Sequence, residues 1–238
     1  MTPASAHGSG RASAQLVASK RARRAEAEFR AFVSDPRFPC LAAKGVLRSA
    51  ALRLRVYGVL GSARSAARLG RDLAAFIAAL PRENAQLRSF VAIFPRAPAS
   101  DEVEFERRLW KQMQHLHDRE VPGARWDAAV SADPDDPDFS FSYAGKALFV
   151  VGMHPASSRL ARRFRWPALV FNPHDQFERL RADGRFAPLQ AAVRDREIAL
   201  QGTLNPNLAD FGEHSEARQY SGRAVDADWR CPFHRNAP

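Results

Sequence analysis

The chain has 238 residues, of which 45% are hydrophobic, and a formal charge of +10 at pH 7. This length is enough for one large domain with a substantial core, or for two small domains. No apolar stretch approaches the ~18 to 20 residues that a membrane-spanning helix requires, so we expect no membrane span. The N-terminal segment has no apolar run ahead of a cleavage site, unlike a secretory signal, and we expect a cytoplasmic protein.

The positive charge is concentrated at the N-terminus. Residues 1–24 have no acidic residue and supply +5 of the +10 through Arg11, Lys20, Arg21, Arg23 and Arg24. Small polar residues fill the rest of this segment, so we predict that residues 1–24 form a disordered basic tail and residues 25–238 a single domain. The domain itself is only mildly basic, which argues against nucleic-acid binding.

Apolar residues recur at helical intervals in three segments of the first half. The spacing predicts a helix over residues 40–57, a second after Gly61 that Pro81 ends, and a third after Asp101. Asp101 followed by Glu104 is typical of a capping box at the start of that third helix. Between the second and third helices, "SFVAIFP" at 89–95 predicts a short strand.

The second half is richer in strands. "FSFSYAGKALFVVGM" predicts a β-hairpin that turns at Ala144 and Gly145, and "PALVF" at 167–171 predicts a further strand. Asn172 is a preferred N-cap and Pro173 a preferred first helical residue, so a helix is predicted to begin there. Another helix is predicted from residue 186 to about residue 200.

The C-terminal segment from residue 202 shows no sustained period, but its aromatic residues predict that it packs against the domain: Phe211, Tyr220, Trp229 and Phe233. The order of the elements indicates an α+β fold in one domain. We expect a small, mainly antiparallel sheet covered by helices, followed by this long packed irregular segment.

Two histidines follow predicted strands. His174 lies at a strand-to-helix junction, where the helix dipole disfavours the imidazolium and leaves a lone pair for a metal or a proton. The alternative is a histidine that only hydrogen-bonds neighbouring backbone. His154 is placed comparably, at the end of "ALFVVGM" and before Pro155, which ends ladder pairing.

Four blocks of the sequence resemble the YqcI/YcgG family: "FPCLAAK", "GMHPASSRLARRF", "VFNPHDQFERLR" and "FGEHSEARQYSGR...WRCPF". They extend from Phe38 to Phe233. The resemblance implies a heme-dependent oxygenase like those of guanitoxin biosynthesis (GntA-like) and D-cycloserine biosynthesis, which hydroxylate a guanidine nitrogen. It also implies a small-molecule guanidine substrate, arginine-like in character, and an electron donor that the sequence does not identify.

The heme implied by the resemblance would be noncovalent heme b, because the sequence has no "CxxCH" attachment motif. Three residues are alternative axial ligands of its iron: Cys40, His174 and His154. Cys40 falls at a predicted helix start, where unpaired N–H groups stabilise a thiolate, and a thiolate ligand favours O–O cleavage. Cys231, beside Pro232, is expected to be a packed thiol, since two cysteines are too few for a disulfide framework.

A guanidinium substrate is best matched by a carboxylate that accepts two parallel hydrogen bonds. Glu216 is the first candidate for this partner, followed by Glu213 and Asp210. The alternative role for Glu216 is an internal ion pair with Arg218 or Arg223.

Two further functions stay open at this point. One is a non-catalytic heme or small-molecule-binding protein of the same fold. The other is a metal hydrolase that uses His154, His174 and Asp175, although no recognised hydrolase motif is present.

Overall fold

The structure, a computed structural model, describes residues 7–81, 86–120 and 124–235, with residues 7–16 described by their backbone alone. Its helices are α1 (His7–Ser34), α2 (Leu41–Arg48), α3 (Ala63–Ala78), α4 (Glu102–His117), α5 (Asp175–Ala182), α6 (Phe186–Gln201) and α7 (Ala217–Tyr220). Its strands are β1 (Leu52–Val56), β2 (Ser89–Ile93), β3 (Phe141–Tyr143), β4 (Lys146–Met153) and β5 (Ala168–Pro173). A short 3-10 helix, Leu160–Arg162, lies between β4 and β5.

The five strands form one sheet in the order β1-β2-β5-β4-β3. β1 and β2 are parallel and are connected through α3, whereas the other neighbouring pairs are antiparallel. The predicted α+β fold with a small, mainly antiparallel sheet is therefore confirmed. The predicted hairpin is also present, with positive φ angles at Ala144 (50°) and Gly145 (72°) in its turn.

Both faces of the sheet are covered, as the central strand β2 shows. Phe90 and Ala92 belong to a core cluster with α3, α4 and the C-terminal segment. Val91 and Ile93 belong to a second cluster with α1. Successive residues of a strand point to opposite faces, so the sheet separates two apolar layers.

The first predicted helix is wrong in its second half. α2 ends at Arg48, Ala50 adopts a φ of 55°, and residues 52–56 form β1. The sequence "LRLRV" of β1 alternates apolar and charged residues, which suits a strand, and β1 pairs with β2 along its whole length. The helical spacing of a few apolar residues was outweighed by this pairing.

The N-terminal segment also differs from expectation. A single helix, α1, runs from His7 to Ser34 and so passes without a break through residue 24, where the disordered tail was expected to end. Much of this segment is alanine and arginine, which favour helices. Its C-terminal half is anchored by the buried side chains of Ala25, Phe29 and Val33, which lie four residues apart. Residues 1–6 lie outside the described residues.

The irregular C-terminal segment packs, as predicted. Tyr220 and Phe233 are fully buried. Glu106 of α4 ties the segment down by accepting hydrogen bonds from Ser221, Arg223 and Trp229. Within the described ranges, no helix has the length and apolar character needed to cross a membrane.

Candidate ligand-binding cavity

A cavity of ≈ 230 Å³ lies beside β4, between α5, α6 and the C-terminal segment. Its wall is mainly apolar and aromatic, with Phe149 from β4, Phe177 from α5 and Phe211 from the C-terminal segment. About half of its lining residues are polar or charged, but apolar atoms form most of its surface. An apolar cavity with a few convergent polar groups is the usual character of a small-molecule site.

Helix α6 forms one wall of the cavity. Phe186, Leu189 and Val193 line it, followed by Glu197 one turn further along the same stripe. No residue of α6 is fully buried, although the helix is 16 residues long. The apolar stripe of α6 thus faces the cavity instead of the core.

His174 lies at the junction of β5 and α5, as predicted, but the local structure differs in one respect. β5 continues through Pro173 and α5 begins at Asp175, so Asn172 is not the N-cap. The Asn172 side chain instead accepts a hydrogen bond from Ser89 and donates one to the Phe149 carbonyl. Strand pairing of β5 with β4 extends to Pro173, and this pairing overrides the local helix-start preference.

The ring of His174 is buried and faces two carboxylates. Its Nε2 lies 3.3 Å from Oε1 of Glu178, and its Nδ1 lies 3.5 Å from Oε1 of Glu216. The ring of Phe211 packs against it, with centroids 4.5 Å apart. The alternative of a histidine that bonds only neighbouring backbone therefore does not describe this side chain.

Glu216 is a buried acid in the cavity wall, 6% exposed. Besides the contact with His174, the hydroxyl of Tyr220 donates to its Oε2 at 3.4 Å. The alternative role, an internal ion pair, is absent among the described residues, because Arg223 pairs with Glu106 and Arg218 donates to the carbonyls of Asp226 and Trp229. A buried carboxylate without a lysine or arginine partner is costly, and a cationic ligand would offset that cost.

Cys40 lines the same cavity as the N-cap of α2, where its Sγ accepts a hydrogen bond from Ala43 N at 3.5 Å. Nevertheless, burial raises the pKa of this thiol, despite the N–H groups of Ala42 and Ala43, and Glu197 adds to the effect. The helix start alone therefore does not stabilise the thiolate as the sequence predicted, because the cost of desolvating the charge is larger.

Two basic side chains hold the loop before Cys40, and no pattern in the sequence pointed to either of them. Arg196 of α6 donates to the carbonyls of Pro36, Phe38 and Pro39. The Lys44 ammonium donates to the Asp35 carbonyl at 2.6 Å and to that of Pro36. α6 thus contributes both to the cavity wall and to the position of the cysteine loop.

Of the other predicted residues, Asp210 lines the cavity and accepts hydrogen bonds from Gln190 and Arg194. Glu213 does not line it, but accepts a hydrogen bond from the backbone of Asp210. His154 is also elsewhere. It is fully buried and stacked on Phe105, with ring centroids 4.1 Å apart.

Both ring nitrogens of His154 lack a hydrogen-bond partner among the described residues. Burial lowers the pKa of this histidine to about 4.

Asp175, the third residue of the hydrolase alternative, pairs with Lys146 and Arg179. The part of the chain that the structure describes contains no group of three His, Cys, Asp or Glu side chains that could hold a metal ion.

The structure therefore brings four predicted residues to one cavity, Cys40, His174, Asp210 and Glu216, and leaves His154 and Glu213 outside it.

Residues 29–234 match the model of the YqcI/YcgG family. The chain is 27% identical over 208 residues to "Uncharacterized protein YqcI" of Bacillus subtilis (strain 168), covering 84% of this chain and 81% of that protein. No solved structure matches it. Because the family model spans most of the sequence, the chain belongs to the YqcI/YcgG family.

Proposed function

We propose that the protein binds heme b noncovalently in this cavity and N-hydroxylates the guanidine group of a small, arginine-like molecule. One observation carries the proposal. The cavity gathers Cys40, His174 and Glu216, which come from three separate blocks of sequence that resemble the YqcI/YcgG family. A potential iron ligand and a potential guanidinium acceptor are thus side by side.

The residues of the cavity fit a heme in their chemistry. Cysteine and histidine are both ordinary axial ligands of heme iron, and the aromatic and aliphatic wall suits the macrocycle. Arg181 and Arg194 also line the cavity, where they pair with Glu178 and Asp210, and they could exchange these partners for the heme propionates. His154 does not line the cavity, so within this proposal the ligand is Cys40 or His174.

The size of the cavity requires a movement. Its ≈ 230 Å³ is below the range of about 300 to 1,000 Å³ that is typical of small-molecule sites. α6 is the element suited to move outward, because none of its residues is fully buried. A bound macrocycle would then cover the apolar stripe that α6 presents to the cavity.

Heme, when bound, supplies the activation of dioxygen, with electrons from a separate donor. The chain's own groups orient the substrate. Glu216 accepts the guanidinium N–H fork, and the Tyr220 hydroxyl and the His174 ring hold its carboxylate in place. The apolar wall excludes water, which strengthens the ion pair between carboxylate and guanidinium.

The runner-up function is a heme or small-molecule-binding protein without turnover. The raised pKa of the Cys40 thiol favours it, because a neutral thiol is a poor iron ligand until the metal displaces its proton. In that case, the same cavity would carry its ligand without oxidising a guanidine.

Absorbance and product analysis test the proposal together. The purified chain, supplemented with hemin, should show a stoichiometric Soret band. With reductant and oxygen, mass spectrometry should then detect an N-hydroxylated product from at least one member of a guanidine panel. A Soret band without any product would favour the heme-binding protein. The lack of a Soret band would overturn the proposal and leave a small-molecule-binding protein without heme.

A further inference from the structure

A second cavity, larger and strongly basic, lies at the opposite end of the sheet. It measures ≈ 720 Å³ and lies at the carboxyl ends of the parallel strands β1 and β2, against α1. The end of β2 at this cavity pairs with the beginning of β5, through Ile93 and Ala168. His174 follows the last residue of β5, at the opposite end of the sheet. The basic cavity is therefore separate from the cavity that contains Cys40 and Glu216.

Four arginines from three parts of the chain line the basic cavity. Arg21 comes from α1, Arg64 and Arg68 come from α3, and Arg96 follows β2. Among the residues whose side chains the structure describes, no acidic one lines it. Among the ion pairs of the described residues, none involves these four guanidinium groups. Asp72, one turn from Arg68 on α3, is engaged by the hydroxyl of Tyr57 at 2.8 Å.

The field in the basic cavity is thus net positive, although the Asp72 carboxylate beside Tyr57 offsets part of it. Like charges around one concave space repel each other, and an anion placed among them removes that repulsion. The start of α3 adds to this field, because Ser62 caps the helix at the edge of the cavity and the positive end of the helix dipole lies there. The arrangement of strand, loop, helix and second parallel strand resembles the geometry by which α/β units bind phosphates.

The remaining lining indicates the class of anion. Val56, Val59 and Pro95 give the cavity an apolar side, and its volume lies within the range of about 300 to 1,000 Å³ typical of small-molecule sites. Guanidinium groups bind phosphate oxygens in pairs of parallel hydrogen bonds. An apolar side beside converging arginines suits a nucleoside attached to phosphates.

We propose that the basic cavity binds a phosphate-bearing small molecule of nucleotide size, with Arg64, Arg68 and Arg96 on the phosphates and the apolar side on the nucleoside. This proposal is independent of the heme proposal. A nucleic acid is the less suitable ligand. Its phosphates would need arginines spread along an extended surface, whereas these arginines converge on one concave space.

Titration calorimetry and thermal melts of the full chain test this site with adenosine diphosphate, inorganic pyrophosphate and adenosine as probes. Adenosine diphosphate should bind saturably and raise the melting temperature, whereas adenosine, which has no phosphate, should not bind. The double variant Arg64→Gln/Arg68→Gln should weaken binding of adenosine diphosphate by about tenfold or more. Arg71→Gln is the matched control, because Arg71 is exposed on the same helix and does not line the cavity.

The melting temperature of the double variant without ligand separates loss of binding from loss of folding. This melting temperature should be unchanged or higher than that of the wild type, because the variant removes two like charges that repel each other. The proposal is overturned if neither phosphate probe binds the folded wild-type chain, or if Arg71→Gln weakens binding as much as the double variant. Tighter binding of a mixed-sequence oligonucleotide that displaces adenosine diphosphate would identify a nucleic-acid surface instead.

Discussion

His174 and Glu216 face each other in the wall of the apolar cavity, with Nδ1 of the imidazole 3.5 Å from Oε1 of the carboxylate. His174 comes from the junction of β5 and α5, and Glu216 directly precedes α7. Both side chains are buried. Neither forms an ion pair with a lysine or arginine among the described residues, so Glu216 remains available as an acceptor for a cation in the cavity.

Glu216→Gln should remove the charge that receives a guanidinium. We expect a strong rise in KM or a loss of turnover, with heme content and melting temperature nearly unchanged, because no ion pair with an arginine is broken. Asp228→Asn, an exposed carboxylate of the same segment, is the control. A loss of about 3 to 5 kcal/mol in unfolding free energy with turnover intact would instead indicate a structural role for Glu216.

Cys40→Ala should abolish heme retention or change its spectrum, because Cys40 is the cysteine that lines the cavity. The reduced wild-type protein treated with carbon monoxide should show a strongly red-shifted Soret band, the mark of thiolate ligation. Cys231→Ala removes a buried thiol outside the cavity and should leave both spectra unchanged. An unshifted wild-type band would move the assignment to His174, to be checked with His174→Ala.

His154 should make the fold sensitive to acid. Because burial lowers the pKa of this histidine from 6.5 to about 4, the unfolded chain binds its proton first as pH falls. Its contribution to stability is therefore complete above about pH 6.5 and is progressively lost down to about pH 4, by about 3 kcal/mol in total.

Urea unfolding of the wild type and of His154→Leu between about pH 7.5 and pH 4 measures this contribution, because the variant keeps the other titrating groups and lacks the imidazole. The unfolding free energy of the wild type should fall more steeply with acid than that of the variant. Parallel curves for the two proteins would show that His154 does not titrate in this way.

Gly152→Ala should destabilise the protein, because an added Cβ would lie 2.7 Å from Cε1 of Phe105 and 2.8 Å from the Tyr220 carbonyl oxygen. We expect a cost of about 1 to 3 kcal/mol in unfolding free energy. Gly45→Ala is the opposite case, because nothing lies within 4 Å of the added Cβ in α2. There, alanine should stabilise the helix by about 0.5 to 1 kcal/mol, and equal effects of the two substitutions in thermal melts would contradict this reasoning.

Arg196→Gln should loosen the loop before Cys40, since Arg196 donates to three of its carbonyls. The half-buried Cys40 thiol should then react faster with a small alkylating reagent than in the wild type, while Cys231 in the same chain serves as an internal reference. Arg185→Gln, an exposed arginine just before α6, is the control. Unchanged alkylation of Cys40 would show that α6 does not position this loop.

Local signals in the sequence determined many of the elements. Asp101 caps the start of α4 by accepting from Glu104 N at 2.8 Å, while the Glu104 side chain accepts from the backbone N–H of Ser100, one residue before the N-cap. The turn at Ala144 and Gly145 produces the hairpin of β3 and β4. These features are encoded within a few residues, so they are independent of the rest of the chain.

Other features were decided by pairing and packing over long distances. Residues 52–56 became β1 because β2 offered a parallel partner, and Asn172 stayed in β5 because β5 pairs with β4 through Pro173. Such ladder bonds are made between segments far apart in sequence, so a local propensity for helix cannot anticipate them.

The sequence by itself identified Cys40, His174, Glu216 and Asp210 as candidates, but it ranked His154 and Glu213 with them. Only the tertiary structure separated the two groups, because lining a common cavity depends on how β4, α5, α6 and the C-terminal segment pack together. The basic cavity was equally hidden. Its four arginines are spread from residue 21 to residue 96, and their convergence depends on the parallel pairing of β1 and β2 and on α1 packing beside them.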